Sequence, residues 1–216
     1  SYINVSNNSA TFAISGTCDQ AAQTVNILVD GGAATSPVGF SCNGTNFSGT
    51  IDTTGLSAGA HTLQAELSDG VNTATSAVVN VTKDIIAPEV SSMSAPIANY
   101  YLESDDLNFV LTMNEATTVT GSPRIQLDVG GATVYATYAS GSTTTSLTFT
   151  YTVQAGDQDT NGIGFGSSVI DLNSGTMLDI AGNTINLNLD ANSALPNVSS
   201  VFVDGVLPTV TITDAA

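Results

Sequence analysis

Along most of this chain a hydrophobic residue recurs at every second position. Phe12 and Ile14 alternate with polar neighbours, as do Val25, Ile27 and Val29, then Leu63, Ala65 and Leu67, then Ala77, Val79 and Val81. Further on, Leu107, Phe109, Leu111 and Met113 form one such row and Ile125, Leu127 and Val129 another. Leu147, Phe149, Tyr151 and Val153, and finally Ile185, Leu187 and Leu189, complete the set. Side chains on a strand alternate between two faces, so this period predicts strands with one buried and one solvated face. The turn residues Asp30-Gly31-Gly32, Asn43-Gly44, Ser68-Asp69-Gly70 and Gly130-Gly131 punctuate the rows, and a turn every eight to twelve residues is the rhythm of a β-sandwich. No stretch sustains a helical period.

The chain also repeats a frame. Asp84-Ile85-Ile86-Ala87-Pro88-Glu89-Val90 and Asp204-Gly205-Val206-Leu207-Pro208-Thr209-Val210 share an Asp, a Pro four residues later and a Val two beyond that. Each copy follows an alternating strand, and its proline forbids helix and sets an extended exit, which makes a domain junction. The expected division is residues 1–84, residues 85–204, and the start of a third repeat at 205–216. The first domain reads as about seven short strands. In the second, the pattern breaks between Ala155 and Asn183 into a long Gly-, Asp- and Asn-rich stretch. Such loops are often functional.

Composition narrows the function. Among 216 residues there are 2 Lys and Arg against 19 Asp and Glu, a formal charge of −17. A polyanion with no basic patch excludes nucleic acid as a partner. The carboxylates are then either solvated and mutually repelling, or divalent cations sit among them. The apolar fraction of 42% argues against disorder, and no apolar run approaches the ~20 residues of a membrane span. The first residues lack a basic start and an apolar signal core, so any export signal lies outside this segment.

Cys18 and Cys42 are the only cysteines. With no metal spacing around them, a disulfide and an oxidising compartment are favoured over two buried thiols. Closing that loop would contribute roughly 3 kcal/mol.

Two sets of residues resemble a known family. The first domain carries Ile14-Ser15-Gly16-Thr17-Cys18, Phe40-Ser41-Cys42-Asn43-Gly44-Thr45, Ser68-Asp69-Gly70-Val71-Asn72 and Lys83-Asp84-Ile85-Ile86-Ala87-Pro88. It resembles bacterial immunoglobulin-like repeats of large surface adhesins and biofilm-associated proteins. The second carries Phe109-Val110-Leu111-Thr112-Met113-Asn114-Glu115, Val119-Thr120-Gly121-Ser122-Pro123, Thr150-Tyr151-Thr152-Val153-Gln154-Ala155-Gly156-Asp157 and Asp179-Ile180-Ala181-Gly182-Asn183. It resembles the longer Ig-like repeats of similar proteins. The resemblance implies a stalk or adhesive segment of a secreted or surface-anchored protein, often one that binds calcium.

Of the constellations that could carry chemistry, Asp157-Gln158-Asp159-Thr160-Asn161-Gly162-Ile163 is the sharpest. Oxygen side chains at Asp157, Asp159 and Asn161, a Gly for the sharp turn, and the Ile163 carbonyl are what a calcium loop needs. Its twelfth position is Ser168 and no helix flanks it, so it is not an EF-hand; the competing reading is a hairpin rich in Asx turns. The hinge acids Asp84 and Asp204, with Glu115 from the second domain, form a second candidate cation set, against solvated turn caps. Asp69 and Asp179 read first as turn caps and second as metal ligands.

Catalysis finds little support. One His allows no catalytic triad, and no Ser sits in a nucleophile elbow. Glu103, Asp105 and Asp106 crowd a strand start, but with no Trp for sugar stacking they read as edge protection rather than a glycosidase pair. The only Lys, Lys83, reads as standing beside the exposed hinge, which argues against an isopeptide cross-link.

The expectation is therefore all-β, with tandem immunoglobulin-like β-sandwich domains in an extended arrangement. The segment is read as an extracellular, non-catalytic stalk or adhesive piece with structural Ca²⁺, whose partners are neighbouring repeats and a surface ligand. The alternatives are a module contacting a glycan or protein through the 155–183 loops, and an accessory domain of a secreted hydrolase.

Overall fold

A computed structural model describes residues 1–33, 39–189, 195–212 and 214. The chain divides into two compact units, Ser1–Ile86 with Ala181–Asn183, and Ala87–Ile180 with Thr184–Ala216. Every regular element is a strand. Of the expected third repeat, residues 213, 215 and 216 lie outside the described residues.

The first unit contains β1 (Tyr2–Ile3), β2 (Phe12–Thr17), β3 (Thr24–Val29), β4 (Gly32–Ala33), β5 (Phe40–Ser41), β6 (Asn46–Ile51), β7 (Gly59–Ser68), β8 (Thr73–Thr75) and β9 (Val79–Lys83). One sheet runs β1-β9-β7-β3-β4, with β5 on β3 and β8 on β7, and β2 pairs with β6 alone. Most of the alternating rows land where the period requires; the exception is the row into β9, where Ala77 and Val79 stand exposed and only Val81 turns inward. Val25, Ile27, Leu63 and Val81 are buried with Ile3, Phe40, Phe47 and Ile51. The rings of Phe40 and Phe47 stack at 6.2 Å, and they press on glycines. A Cβ on Gly49 would stand 2.2 Å from Phe40, and one on Gly16 2.5 Å from Phe47. Any side chain there would force the aromatic core apart.

Cys18 and Cys42 are joined in a disulfide, with Cα atoms 6.0 Å apart. The bond ties the end of β2 to the segment after β5.

Lys83 departs from the reading above. It is not beside an exposed surface but 3% exposed, and its Nζ donates to the carbonyls of Thr53 (2.8 Å), Thr54 (3.1 Å) and Leu56 (2.9 Å). Burying an ammonium is tolerable only when its hydrogens are all taken. Here three backbone acceptors of one loop take them, and the lysine fastens that loop to β9.

The second unit contains β10 (Val90–Ser94), β11 (Asn99–Leu102), β12 (Asp106–Thr120), β13 (Arg124–Val129), β14 (Ala132–Ser140), β15 (Thr144–Thr152), β16 (Gln158–Asp159), β17 (Gly164–Phe165), β18 (Thr176–Leu178) and β19 (Val201–Asp204). Its main sheet runs β10-β12-β15-β14-β13-β17, with β18 on β12, and a smaller one runs β11-β19-β16. Between them lies a core of Leu107, Phe109, Leu111, Ile125, Leu127, Leu147 and Phe149 with Val201 and Val203. Gly130 and Gly131 make the expected hairpin turn, both at positive φ, closing the Val129–Ala132 pair.

A shared feature links the units. In each, the final strand receives a short strand in parallel: Tyr2 opposite Thr82 and Ile3 opposite Lys83 in the first, Asn99 opposite Val201 through Leu102 opposite Asp204 in the second. The stretch between 155 and 183, expected as irregular loop, is threaded by β16, β17 and β18. It sends Ile163, Ile170 and Met177 into the core.

Candidate metal centre

Strand β12 carries the principal site. Its odd-numbered residues face inward: Leu107, Phe109, Leu111 and Met113 are buried, and so are Thr117 and Val119. Glu115 occupies the inward position between Met113 and Thr117. There the pairing of β12 with β15 shifts register, between Thr112 and Thr117, and such bulges re-aim side chains. One carboxylate oxygen of Glu115 is shielded from solvent.

Beyond the register shift β12 pairs with β18, Thr118 opposite Leu178 and Val119 opposite Met177. This antiparallel register brings the residue after β18, Asp179, alongside. Asp179 is 4% exposed, and carboxylate oxygens of Asp179 and Glu115 lie within 4.8 Å of each other. The turn of Asp179 to Asn183 is closed by a bridge between Leu178 and Thr184, with Gly182 at positive φ. Two carboxylates at this spacing repel by on the order of 3 kcal/mol when both are ionised in a partly screened interior. Arg124, the unit's one cation, is engaged elsewhere: its Nε donates to Asp171 Oδ2 at 2.7 Å, and its guanidinium lies 4.0 Å from the Tyr135 ring centroid. It also holds the Asp171 carboxyl below its usual range.

The loop of Asp157 to Ile163 is organised by protein donors. Asp157 Oδ2 accepts from the Tyr151 hydroxyl and from the Gln154 N–H at 2.8 Å. Burial, then this carboxylate, pushes the Tyr151 phenol far up. Asp159 is buried, accepting the Gly130 N–H at Oδ2 (2.7 Å) and the Asn161 N–H at Oδ1 (3.1 Å). The Ile163 N–H donates to the Val201 carbonyl at 3.0 Å. Gly162 makes the expected sharp turn at φ +98°, and a Cβ there would stand 2.2 Å from the Ser199 carbonyl oxygen.

The two hinge aspartates adopt the same turn. Asp84 Oδ1 accepts the Ile86 N–H at 3.1 Å, and Asp204 Oδ1 accepts the Val206 N–H at 3.3 Å. The repeated sequence frame is thus a repeated Asx turn. Within the first unit, Asn183 holds this exit in place. It accepts the Val5 N–H (2.8 Å) and donates to the carbonyls of Asp84 (2.9 Å) and Ile86 (3.2 Å).

Sequence reasoning placed Asp179 with Asp69 among turn caps. Asp69 is one, accepting the Val71 and Asn72 N–H groups at 2.8 and 2.7 Å; these bonds hold its carboxyl below the usual range. Asp179 closes a turn and also stands beside Glu115. The signal for Glu115 was in the sequence: it continues the inward row that begins at Leu107.

No family model matches the chain, and no curated protein matches its sequence. Among solved structures it is similar to the Bacteroides ovatus mixed-linkage glucan utilization locus protein SGBP-B in complex with mixed-linkage heptasaccharide. That match has 20% identity over 94% of this chain, a TM-score of 0.25, and spans only 43% of that protein's chain. It is also similar to a chimeric titin Z1Z2 functionalized with a KLER exogenous peptide from decorin, at 11% identity, 95% of this chain, 92% of that chain and a TM-score of 0.33. The D0-D1 domain of intimin matches at 11% identity over 84% of this chain and 89% of that chain, with a TM-score of 0.30. The fold is read from the strands themselves: both units are all-β, with sheets packed around an apolar core.

Proposed function

We propose that this chain is a structural and adhesive segment of an extracellular or cell-surface protein, non-catalytic, built of immunoglobulin-like units and stiffened by Ca²⁺. The observation that carries the reading is the Glu115–Asp179 pair. An acid in an inward strand position with a carboxylate oxygen within 4.8 Å of that of a buried aspartate offers a divalent cation two hard oxygen donors. Hard oxygen donors favour Ca²⁺ over softer metals.

The disulfide supports the oxidising location, and neighbouring repeats of the same chain are the partners that follow from the repeated frame. Glycan or protein contact through residues 155–183 is disfavoured, because that stretch supplies strands and core residues rather than a free loop cluster. The test is calcium stoichiometry by equilibrium dialysis and melting temperature with calcium and with chelator. A melting temperature indifferent to both would remove the calcium role.

A further inference from the structure

Strand β11 is an edge. It pairs with β19 on one side and with no other strand among the described residues. Its outward side chains are large and apolar: Tyr100 is 58% and Leu102 56% exposed, while Tyr101 between them packs against the core. Across the parallel register Tyr100 faces Phe202, with ring centroids 5.0 Å apart, and Leu102 faces Asp204. The acids that follow, Glu103, Asp105 and Asp106, are exposed, and Asp105 closes the last residue of the edge: its Oδ2 accepts the Leu102 N–H at 2.8 Å and its N–H donates to the Leu102 carbonyl at 3.0 Å. An exposed edge with an aromatic face is a template for another strand.

The charge around it says which strand. A second copy of this chain also carries −17, and its two cations are spent, Lys83 on three carbonyls and Arg124 on Asp171. Self-pairing at this edge is therefore opposed by net like charge. Arginine is the residue that satisfies an aromatic face and a carboxylate together. The chain shows that arrangement once, where Arg124 lies against Tyr135 and bonds Asp171.

We propose that β11 is a docking edge for an extended, arginine-bearing segment of another protein, which pairs beside Asn99–Tyr101. Its guanidinium groups rest on the Tyr100–Phe202 pair and meet the carboxylates of Glu103 and Asp204. The probes are three synthetic peptides in which Thr alternates with Arg, with Lys or with Glu, titrated into the ¹⁵N-labelled protein. The Arg peptide is expected to shift the resonances of Asn99–Leu102 and Phe202, to bind more tightly than the Lys peptide, and to weaken as salt rises. Tyr100→Ala is expected to weaken it roughly two- to fivefold. Should that variant fold poorly, Glu103→Lys with Asp106→Lys, on exposed positions, is expected to weaken it instead. Equal binding of the Glu peptide, or no effect of either variant, would overturn the proposal. So would a neutral β-glucan oligosaccharide that shifts these resonances where the Arg peptide does not.

Discussion

Asp179 and Glu115 lie with carboxylate oxygens within 4.8 Å of each other, although one follows β18 and the other interrupts β12. The pairing of those strands makes their meeting a consequence of register rather than of chain proximity. If the pair holds Ca²⁺, the apo protein bears a local repulsion that the ion removes.

The double variant Glu115→Gln, Asp179→Asn is therefore expected to melt higher than the parent in chelator, by the relief of like charge. It is expected to gain nothing from calcium and to bind one ion fewer. Calorimetry in the two buffers reads both signs. A parent whose melting temperature rises with calcium as much as the variant's would place the ion elsewhere.

Much of the fold was legible because burial follows period two along most strands, though Ala77 and Val79 of the row into β9 stand exposed. The row from Leu107 to Met113 is buried as written, and the Gly130-Gly131 turn joins the strands it separates. What escaped was long-range. Lys83 stood in sequence beside a hinge, and nothing local announces that the carbonyls of Thr53, Thr54 and Leu56 converge on it. Glu115 was noted as a hinge acid, but its place in the inward row was a stronger signal. Asp179 resembled Asp69 as a turn residue, and only the pairing of β18 with β12 separates the two.

Lys83→Met would keep the bulk of the side chain and leave three carbonyls without their donor. A buried acceptor that loses its partner costs about 1–3 kcal/mol, and some of these will find water. The expected loss for the first unit is about 3 kcal/mol, read by urea unfolding. An unchanged midpoint would mean that the 53–56 loop is held by its other bonds.

Reduction of Cys18–Cys42 should lower the stability of the first unit by roughly 3 kcal/mol. Before reduction, alkylation and mass measurement should find no free thiol. Modification of both cysteines in the native, unreduced protein is the contrary result.

His61 makes the first unit sensitive to pH. It is buried, with Nδ1 2.7 Å from Asp30 Oδ2 and Nε2 2.9 Å from the Ser57 carbonyl. A carbonyl only accepts, so both ring nitrogens donate and the imidazolium is favoured. The Asp30 bond, then the Ser57 bond, raises the His61 pKa above its ordinary 6.5. A raised folded value stabilises fully below the unfolded pKa and is lost as pH rises through the folded one. The same contact lowers the Asp30 pKa below 3.8, so that contribution is lost as pH falls through the folded value. Stability from this pair should thus be greatest between the two ranges and decline above pH 6.5. His61→Gln should flatten the alkaline decline; an identical decline in the variant would assign it to another group.

The last expectation concerns the loop that looked most like a calcium site. Asp157 and Asp159 already accept hydrogens from Tyr151, Gln154, Gly130 and Asn161. Three of those donors are backbone amides, in charge-assisted hydrogen bonds stronger than neutral ones. Removing the carboxylates leaves amides near the core without acceptors, whatever ions are present. Asp157→Ala with Asp159→Ala is therefore expected to lower the melting temperature equally in calcium and in chelator, with the ion count unchanged. The cost should be at least about 2 kcal/mol, since Asp159 is buried and its loss strips the acceptor from the Gly130 turn. Ile163 and Gly162 make the measurement specific: their signals should move in the double variant but not on adding calcium to the parent. A loss confined to the calcium buffer, with one ion fewer, would return the site to this loop and leave Glu115 and Asp179 as a buried pair of another kind.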